Sequence, residues 1–328
     1  MAHIRNIQTG ETIYLHVHHI FGRQANGVNT CIQSASISKI HAVIEWNGQQ
    51  WQIRDLSRNG TWLESNRVEL NQRMPLRQGK VISMAAPYGP QYIVEDLSPP
   101  CNLLIPESDA PVLQLDAHTL VTINNDPAFV FSLCPDTNEW FAEPLAGDSS
   151  ERQGPYQNGQ RIVWGDLAWT LFVVDPMLQT QDNMTQSTTL HDAFFEFNLS
   201  ADEESTQLAI NTGEHLIELG ERSHHYALLQ LARHKAEQRL NGLPDSEQGW
   251  IYADQLAQEL GLEVTHLNIL IFRARKQINE SLRSVTGLSQ LIQRRGGRLR
   301  LGDSQFRITK AGSVESEYLF SSSPSPSP

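Results

Sequence analysis

Short apolar runs separated by Gly- and Asn-bearing turns fill the chain up to about Asp96: "HAVIEW", "NGQQ", "WQIRD" and "SRNG" succeed one another within 41–60. In "SKIHAVIEW" (38–46), Ala42, Ile44 and Trp46 fall on one face of a strand and His41, Val43 and Glu45 on the other. Strand, turn and strand in this order predict an all-β sandwich over 1–98. A weaker copy follows. "AFVFSLCPDTNEWFAEPLAGDS" (128–149) runs parallel to 41–60, and "NGQRIVWGDLAWTLFVVD" (158–175) to 78–96, which predicts a second, related sandwich over 101–176. Residues 177–192 are polar and rich in Thr and Gln, as an exposed linker is. The period then lengthens. Amphipathic helices are predicted over 224–242, stopped by Gly242 and Pro244, over 252–261, stopped by Gly261, and over 264–282. A hairpin turning at Gly296 and Gly297 closes this region, 193–312. The remainder, 313–328, ends in "SSSPSPSP", too polar and proline-rich to bury anything, and is expected to be disordered.

A length of 328 residues agrees with several cores rather than one. A formal net charge of −12, if spread evenly, argues against a nucleic-acid partner. It is not spread evenly: Val264 to Lys310 carries ten Lys and Arg against Glu280 and Asp303, so that segment is +8 and the rest −20. No apolar run is long enough to span a bilayer, and "MAHIRNIQTG" has no basic segment followed by an apolar stretch, so a cytoplasmic protein is expected. Cys31, Cys101 and Cys134 lie far apart, as reduced structural thiols do. His16, His18 and His19 put two imidazoles on one strand face without an identifiable third ligand, and His224 with His225 lack a partner at ligand spacing. No metal or cofactor is therefore expected. Neither a phosphate-binding Gly-x-x-x-x-Gly-Lys loop nor a nucleophile elbow nor a kinase motif set is found, and the expectation is that the chain is not an enzyme.

"FGR" (21–23), "SKIH" (38–41) and "NGT" (59–61) resemble, in order and spacing, the three motifs of the forkhead-associated (FHA) domain. That resemblance covers roughly 5–96 and implies a β-sandwich whose end loops bind a phosphothreonine peptide. The residue types suit a phosphate, which brings nearly two charges and three acceptor oxygens. Arg23 offers a forked cationic donor, Ser38 a hydroxyl and Lys39 a further charge. The resemblance assigns Asn59 to the peptide backbone, has His41 brace the serine loop, and makes Gly22, Gly60 and Thr61 structural. Glu64 and Ser65 stand where the family often has "NG", which bears on what is read beyond the phosphothreonine. The second sandwich lacks all three motifs and reads as a degenerate FHA-like module.

From Phe195 to about Ala311, short strands, three helices and a hairpin resemble the winged-helix output domains of OmpR-type response regulators. The resemblance rests on "THLNILIFRARKQI" (265–278) as recognition helix and "RRGGRLRL" (294–301) as wing. Projected at about 100° per residue, Val264, Leu267, Ile271, Ala274, Ile278 and Leu282 share a core face. The other face, with Thr265, His266, Ile269, Arg273, Lys276 and Gln277, can meet phosphates and base edges. Arg298 and Arg300 alternate with Leu299 and Leu301, and Arg294 and Arg295 flank the tip. Ile269, Leu270 and Phe272 are apolar where such regulators are more polar, and Arg298 and Leu299 replace the usual glycine and aromatic.

The fold expected is multidomain: an N-terminal all-β FHA sandwich, a second degenerate FHA-like β-sandwich and a C-terminal α+β winged helix. The function expected is transcriptional regulation, coupling recognition of a phosphothreonine-containing protein to binding of double-stranded DNA, with homodimerisation on DNA as one arrangement and no membrane. The alternative is a phosphothreonine-dependent adaptor whose winged helix binds protein. Thr189, with Asp192 three residues on, is a candidate internal phosphothreonine ligand.

Overall fold

Alternating residues and turn glycines build the N-terminal sandwich as the pattern predicts. In the computed structural model, which describes residues 1–134, 137–145, 152–174, 188–213, 215–282 and 285–320, the chain divides into two compact units. The first holds Met1–Leu115 with Gln157–Thr180, the second Asp116–Tyr156 with Gln181–Pro328.

In the first unit, a six-stranded sheet runs in the order Thr12–Tyr14, His3–Asn6, Gln91–Asp96, Val81–Met84, Thr61–Leu63, Asn66–Arg67. A five-stranded sheet has the order Thr30–Cys31, His18–Gly22, Ala42–Trp46, Trp51–Asp55, Arg73–Pro75. Ile4, Phe21, Ile44, Trp51, Ile82 and Val94 pack into one apolar cluster. The strand 42–46 departs from simple alternation, since Val43 and Glu45 on its other face are also buried. Glu45 tolerates burial because Arg73 donates to its carboxylate and Arg54 lies 3.7 Å from it. A four-stranded sheet, Leu113–Leu115, Asn102–Pro106, Leu167–Phe172, Arg161–Trp164, belongs to the same unit. Its Leu103 joins Met1, Val17 and Val174 in a second apolar cluster.

The second unit contains another four-stranded antiparallel sheet, His118–Ile123, Asp126–Cys134, Glu139–Pro144, Gln153–Tyr156. With it go three helices, α1 (Ser223–Leu240), α2 (Ala253–Glu259) and α3 (Val264–Ser281), close to the spans predicted. A hairpin, Ile292–Arg295 and Arg298–Leu301, turns at Gly296 and Gly297, whose φ of 54° and 74° suits residues without a Cβ. A five-stranded sheet, Leu216–Glu221, Thr206–Asn211, Phe194–Leu199, Gln305–Lys310, Ser313–Tyr318, completes it. Leu267, Ile271, Ala274, Ile278 and Leu282 of the predicted α3 face are buried in this unit's core.

Three expectations need correction. Residues 101–176 do not form one compact unit, because the strands of 102–115 and 161–172 belong to the first unit and those of 118–156 to the second. The second set is held to α3 by side chains: Asn268 Nδ2 donates to Leu145 O at 2.9 Å, and Arg275 Nη1 to Glu143 Oε2 at 2.6 Å. The supposed linker is structured at its end, where Thr188–Thr189 pairs in parallel with Val285–Thr286 and Leu190 is buried; 175–187 lie outside the described residues. Ser313–Tyr318, placed in the disordered tail, is a strand against Gln305–Lys310, and its Tyr318 is 4% exposed. One buried tyrosine and a strand edge to pair with outweigh the polar composition around them; 321–328 lie outside the described residues.

Among the described residues no helix is long and apolar enough to cross a membrane.

Candidate functional site

The loops at one end of the first unit are tied together by a buried imidazole. His41, fully buried, accepts the Ser38 N–H at Nδ1 (3.1 Å) and meets Gly60 O with Nε2 (3.1 Å). An Nδ1 that accepts requires the proton on Nε2, so His41 is the neutral Nε2–H tautomer. Burial lowers its pKa, with the Gly60 hydrogen bond and Asp55 acting in the other direction. His41 thereby joins the Ser38 loop to the Asn59–Gly60 turn.

Ser38 Oγ accepts the Arg58 N–H at 3.1 Å, which leaves the hydroxyl hydrogen to donate outward. Arg23, Lys39 and Arg58 are exposed at the same loops. Asn59 Nδ2 donates to Ser36 O at 2.6 Å, which orients its amide and leaves Oδ1 to accept. Gly22 is required by crowding, because a Cβ there would lie 2.0 Å from Lys39 O. Gly60 is required by its φ of 102° and by Arg67 Nε, 2.6 Å from a Cβ. Buried Asp55 accepts from Ser57 Oγ (2.7 Å) and Thr61 Oγ1 (2.8 Å), and Ser57 Oγ in turn accepts Gly60 N (2.7 Å). The result is an exposed set of cationic and hydroxyl donors on loops tied by the Ser38, Arg58 and Gly60 N–H bonds, suited to a dianion.

Sequence reasoning missed Asp55, Ser57 and Arg58. The signal for the first two lies in "DLSRNGT" (55–61), where a carboxylate precedes two hydroxyl residues at turn spacing. Arg58 is the residue directly before Asn59, and its charge went uncounted.

On the second unit the ten residues predicted to meet DNA separate into several environments. His266 and Arg273 are exposed, and Thr265 and Ile269 half-buried. Lys276 lies 3.5 Å from Asp116 and 3.9 Å from Glu280. Gln277 points inward: its Oε1 accepts from Nε2 of His224 (2.7 Å) and of His225 (2.8 Å), and its Nε2 donates to Leu219 O (3.0 Å). Arg294 is 13% exposed and donates to Asn268 Oδ1 at 2.6 Å, with Glu143 3.8 Å away. Arg300 donates to Gln293 Oε1 (2.7 Å) and Ser246 O (3.0 Å). Arg295 remains 57% exposed beside Glu247, and Arg298 lies over the Tyr252 ring. Gln277 and Arg294 are thus interior residues, because α1 and the 118–156 sheet cover sides of α3 and the hairpin that a helical projection leaves open. The Thr189–Asp192 spacing also has a local cause: Thr189 Oγ1 donates to Asp192 Oδ2 at 2.6 Å in a capping turn.

The described residues contain no group of three or more His, Cys, Asp or Glu placed to hold a metal ion.

Residues 19–85 match the FHA domain family and are an FHA domain. Similar solved structures include the N-terminal FHA domain of Saccharomyces cerevisiae Rad53p in complex with a phosphothreonine peptide, at 20% identity, covering 28% of this chain and 90% of that one, TM-score 0.26. Mycobacterium tuberculosis EmbR in complex with a low-affinity phosphopeptide is 24% identical, covering 30% of this chain and 25% of that one, TM-score 0.27. The FHA domain of an Arabidopsis thaliana hypothetical protein is 28% identical, covering 30% and 87%, TM-score 0.27. No curated protein matches the chain.

Proposed function

We propose that this chain is a transcriptional regulator in which the FHA loops recognise a phosphothreonine-bearing protein and a winged helix in the second unit binds duplex DNA. The observation that carries the first half is the His41 clasp, which ties the Ser38 backbone to Gly60, with Arg23, Lys39 and Arg58 exposed on the loops it joins. Phosphothreonine is bound by Arg23, Ser38 and Lys39, with Asn59 Oδ1 on the peptide backbone. The second half is supported by the order α2, α3 and hairpin, and by His266 and Arg273 of α3 and Arg295 of the hairpin, which are exposed. The reading needs no catalytic residue.

One observation favours the adaptor reading: Gln277, Arg294 and Arg300 are engaged inside the unit, which reduces the charge left for DNA. Duplex-DNA affinity of the whole chain, measured across salt concentrations, separates the two. A regulator gives a log–log slope of about −0.9 for each phosphate contacted. No slope, with phosphopeptide binding retained, identifies an adaptor.

A further inference from the structure

Beyond both readings stands a cavity of about 670 Å³ inside the second unit, lined by Arg152, Arg275, Arg294, Arg295 and Arg300. Glu143 is the one carboxylate among its described lining residues, against five arginines of which Arg295 alone also meets Glu247, in a chain whose net charge is −12. His118 in the wall adds no charge at neutral pH, since burial and the neighbouring Arg275 push its pKa down to about 4. Glu143 does not satisfy this cluster. It receives Arg275 Nη1 at 2.6 Å and lies 3.8 Å from Arg294 Nε, while Arg294 Nε and Nη1 are buried with no hydrogen-bond partner. Buried guanidinium nitrogens without acceptors are unfavourable, and an oxyanion supplies what they lack. The rest of the wall is apolar in part, with Leu133, Leu288, Ile292 and Trp250, and the volume is that of a site for a small organic molecule rather than a bare ion.

We propose that this cavity binds a small organic anion bearing a phosphoryl or polyphosphate group, the charged end on Arg152, Arg275 and Arg294 and the carbon portion along the apolar wall. A monocarboxylate offsets too little of the charge, whereas a phosphorylated metabolite supplies two or more negative charges. Binding has a consequence for α3. Arg275 and Arg294 also bridge α3 and the hairpin to Glu143 of the 118–156 sheet, so the ligand competes with Glu143 for both guanidiniums. The site therefore couples a soluble anion to the contact that covers one side of α3.

The FHA loops also take phosphate, so the test must separate the two sites. Calorimetry on the whole chain with pyrophosphate and with ADP, at matched ionic strength, is expected to show saturable one-site binding, with ADP the tighter of the two. Arg23→Ala, which disables the FHA loops, leaves that binding unchanged. Arg152→Gln weakens it at least about tenfold, the scale of one lost charge-assisted contact; circular dichroism verifies the fold, and Arg152 is exposed enough to be replaced without loss of core. Three results overturn the proposal: loss of binding in Arg23→Ala with retention in Arg152→Gln, uptake that follows ionic strength alone, or no heat from either probe at millimolar concentration. Loss of duplex-DNA affinity in Arg152→Gln without any ADP binding overturns it too, and assigns these arginines to DNA.

Discussion

His41→Ala removes the buried side chain that, beside the Asn59 Nδ2–Ser36 O and Arg58 N–Ser38 Oγ bonds, fastens the Ser38 loop to the Asn59–Gly60 turn, and its cost divides contact by contact. Gly60 O keeps a partner, because it also accepts Ala85 N–H at 2.9 Å; losing the imidazole there removes one ordinary hydrogen bond, about 1 kcal/mol. The Ser38 N–H donates to Nδ1, and stranding it costs about 1–3 kcal/mol. The vacated volume, surrounded by a fully packed core end, adds about 1–2 kcal/mol. Together the change should destabilise the FHA domain by about 3–5 kcal/mol. His41→Asn places an amide oxygen near the position of Nδ1, restores the Ser38 contact, and should recover about half of that. The assay is urea unfolding of the whole chain followed by tryptophan fluorescence, since Trp51 is 1% exposed in this core. Titration with a phosphothreonine peptide beside it should show affinity falling more for Ala than for Asn, as the donors lose their fixed geometry. An His41→Ala protein within about 0.5 kcal/mol of wild type, the usual range for surface changes, would refute the clasp. So would equal losses for Ala and Asn.

Three further outcomes are expected. Arg23→Ala and Ser38→Ala should abolish phosphothreonine-peptide binding in calorimetry; the exposed Arg23 change should leave the unfolding midpoint unchanged, and the Ser38 change should cost about 1 kcal/mol, because its Oγ accepts the Arg58 N–H. Stability should fall on acidification below about pH 6.5: His19, held at about 3, His118, at about 4, and His41, His224 and His225, all lowered by burial, stay neutral in the fold while the unfolded chain takes up protons. The stability is complete above the unfolded value and is lost as pH drops through it, which thermal melts between pH 8 and pH 5 will check. Glu143→Gln should destabilise the second unit by about 3–5 kcal/mol, because Arg275 and Arg294 lose the carboxylate that Arg275 contacts at 2.6 Å; a melt matching wild type would show the pair to be dispensable.

Much of the fold was legible residue by residue. The strand over 42–46, the stops at Gly242 and Gly261, and the positive-φ turn at Gly296 and Gly297 follow from backbone sterics and from the periods of strand and helix, which act over a few neighbours. The three loop motifs were legible from residue type and spacing; the φ of 102° that demands Gly60 is set locally, whereas the crowding that demands Gly22 comes from Lys39 O of the Ser38 loop. Tertiary structure decided the rest. Glu45 and Val43 are buried because both faces of their strand are covered, which alternation cannot report. Gln277 and Arg294 sit on the predicted faces, yet one serves two histidines of α1 and the other Asn268. The partners that cover α3 are remote: Leu145 is 123 residues from Asn268. Local sequence sets which side of an element is apolar or charged; whether that side meets solvent, DNA or another sheet depends on burial and charge pairing summed between segments distant in the chain.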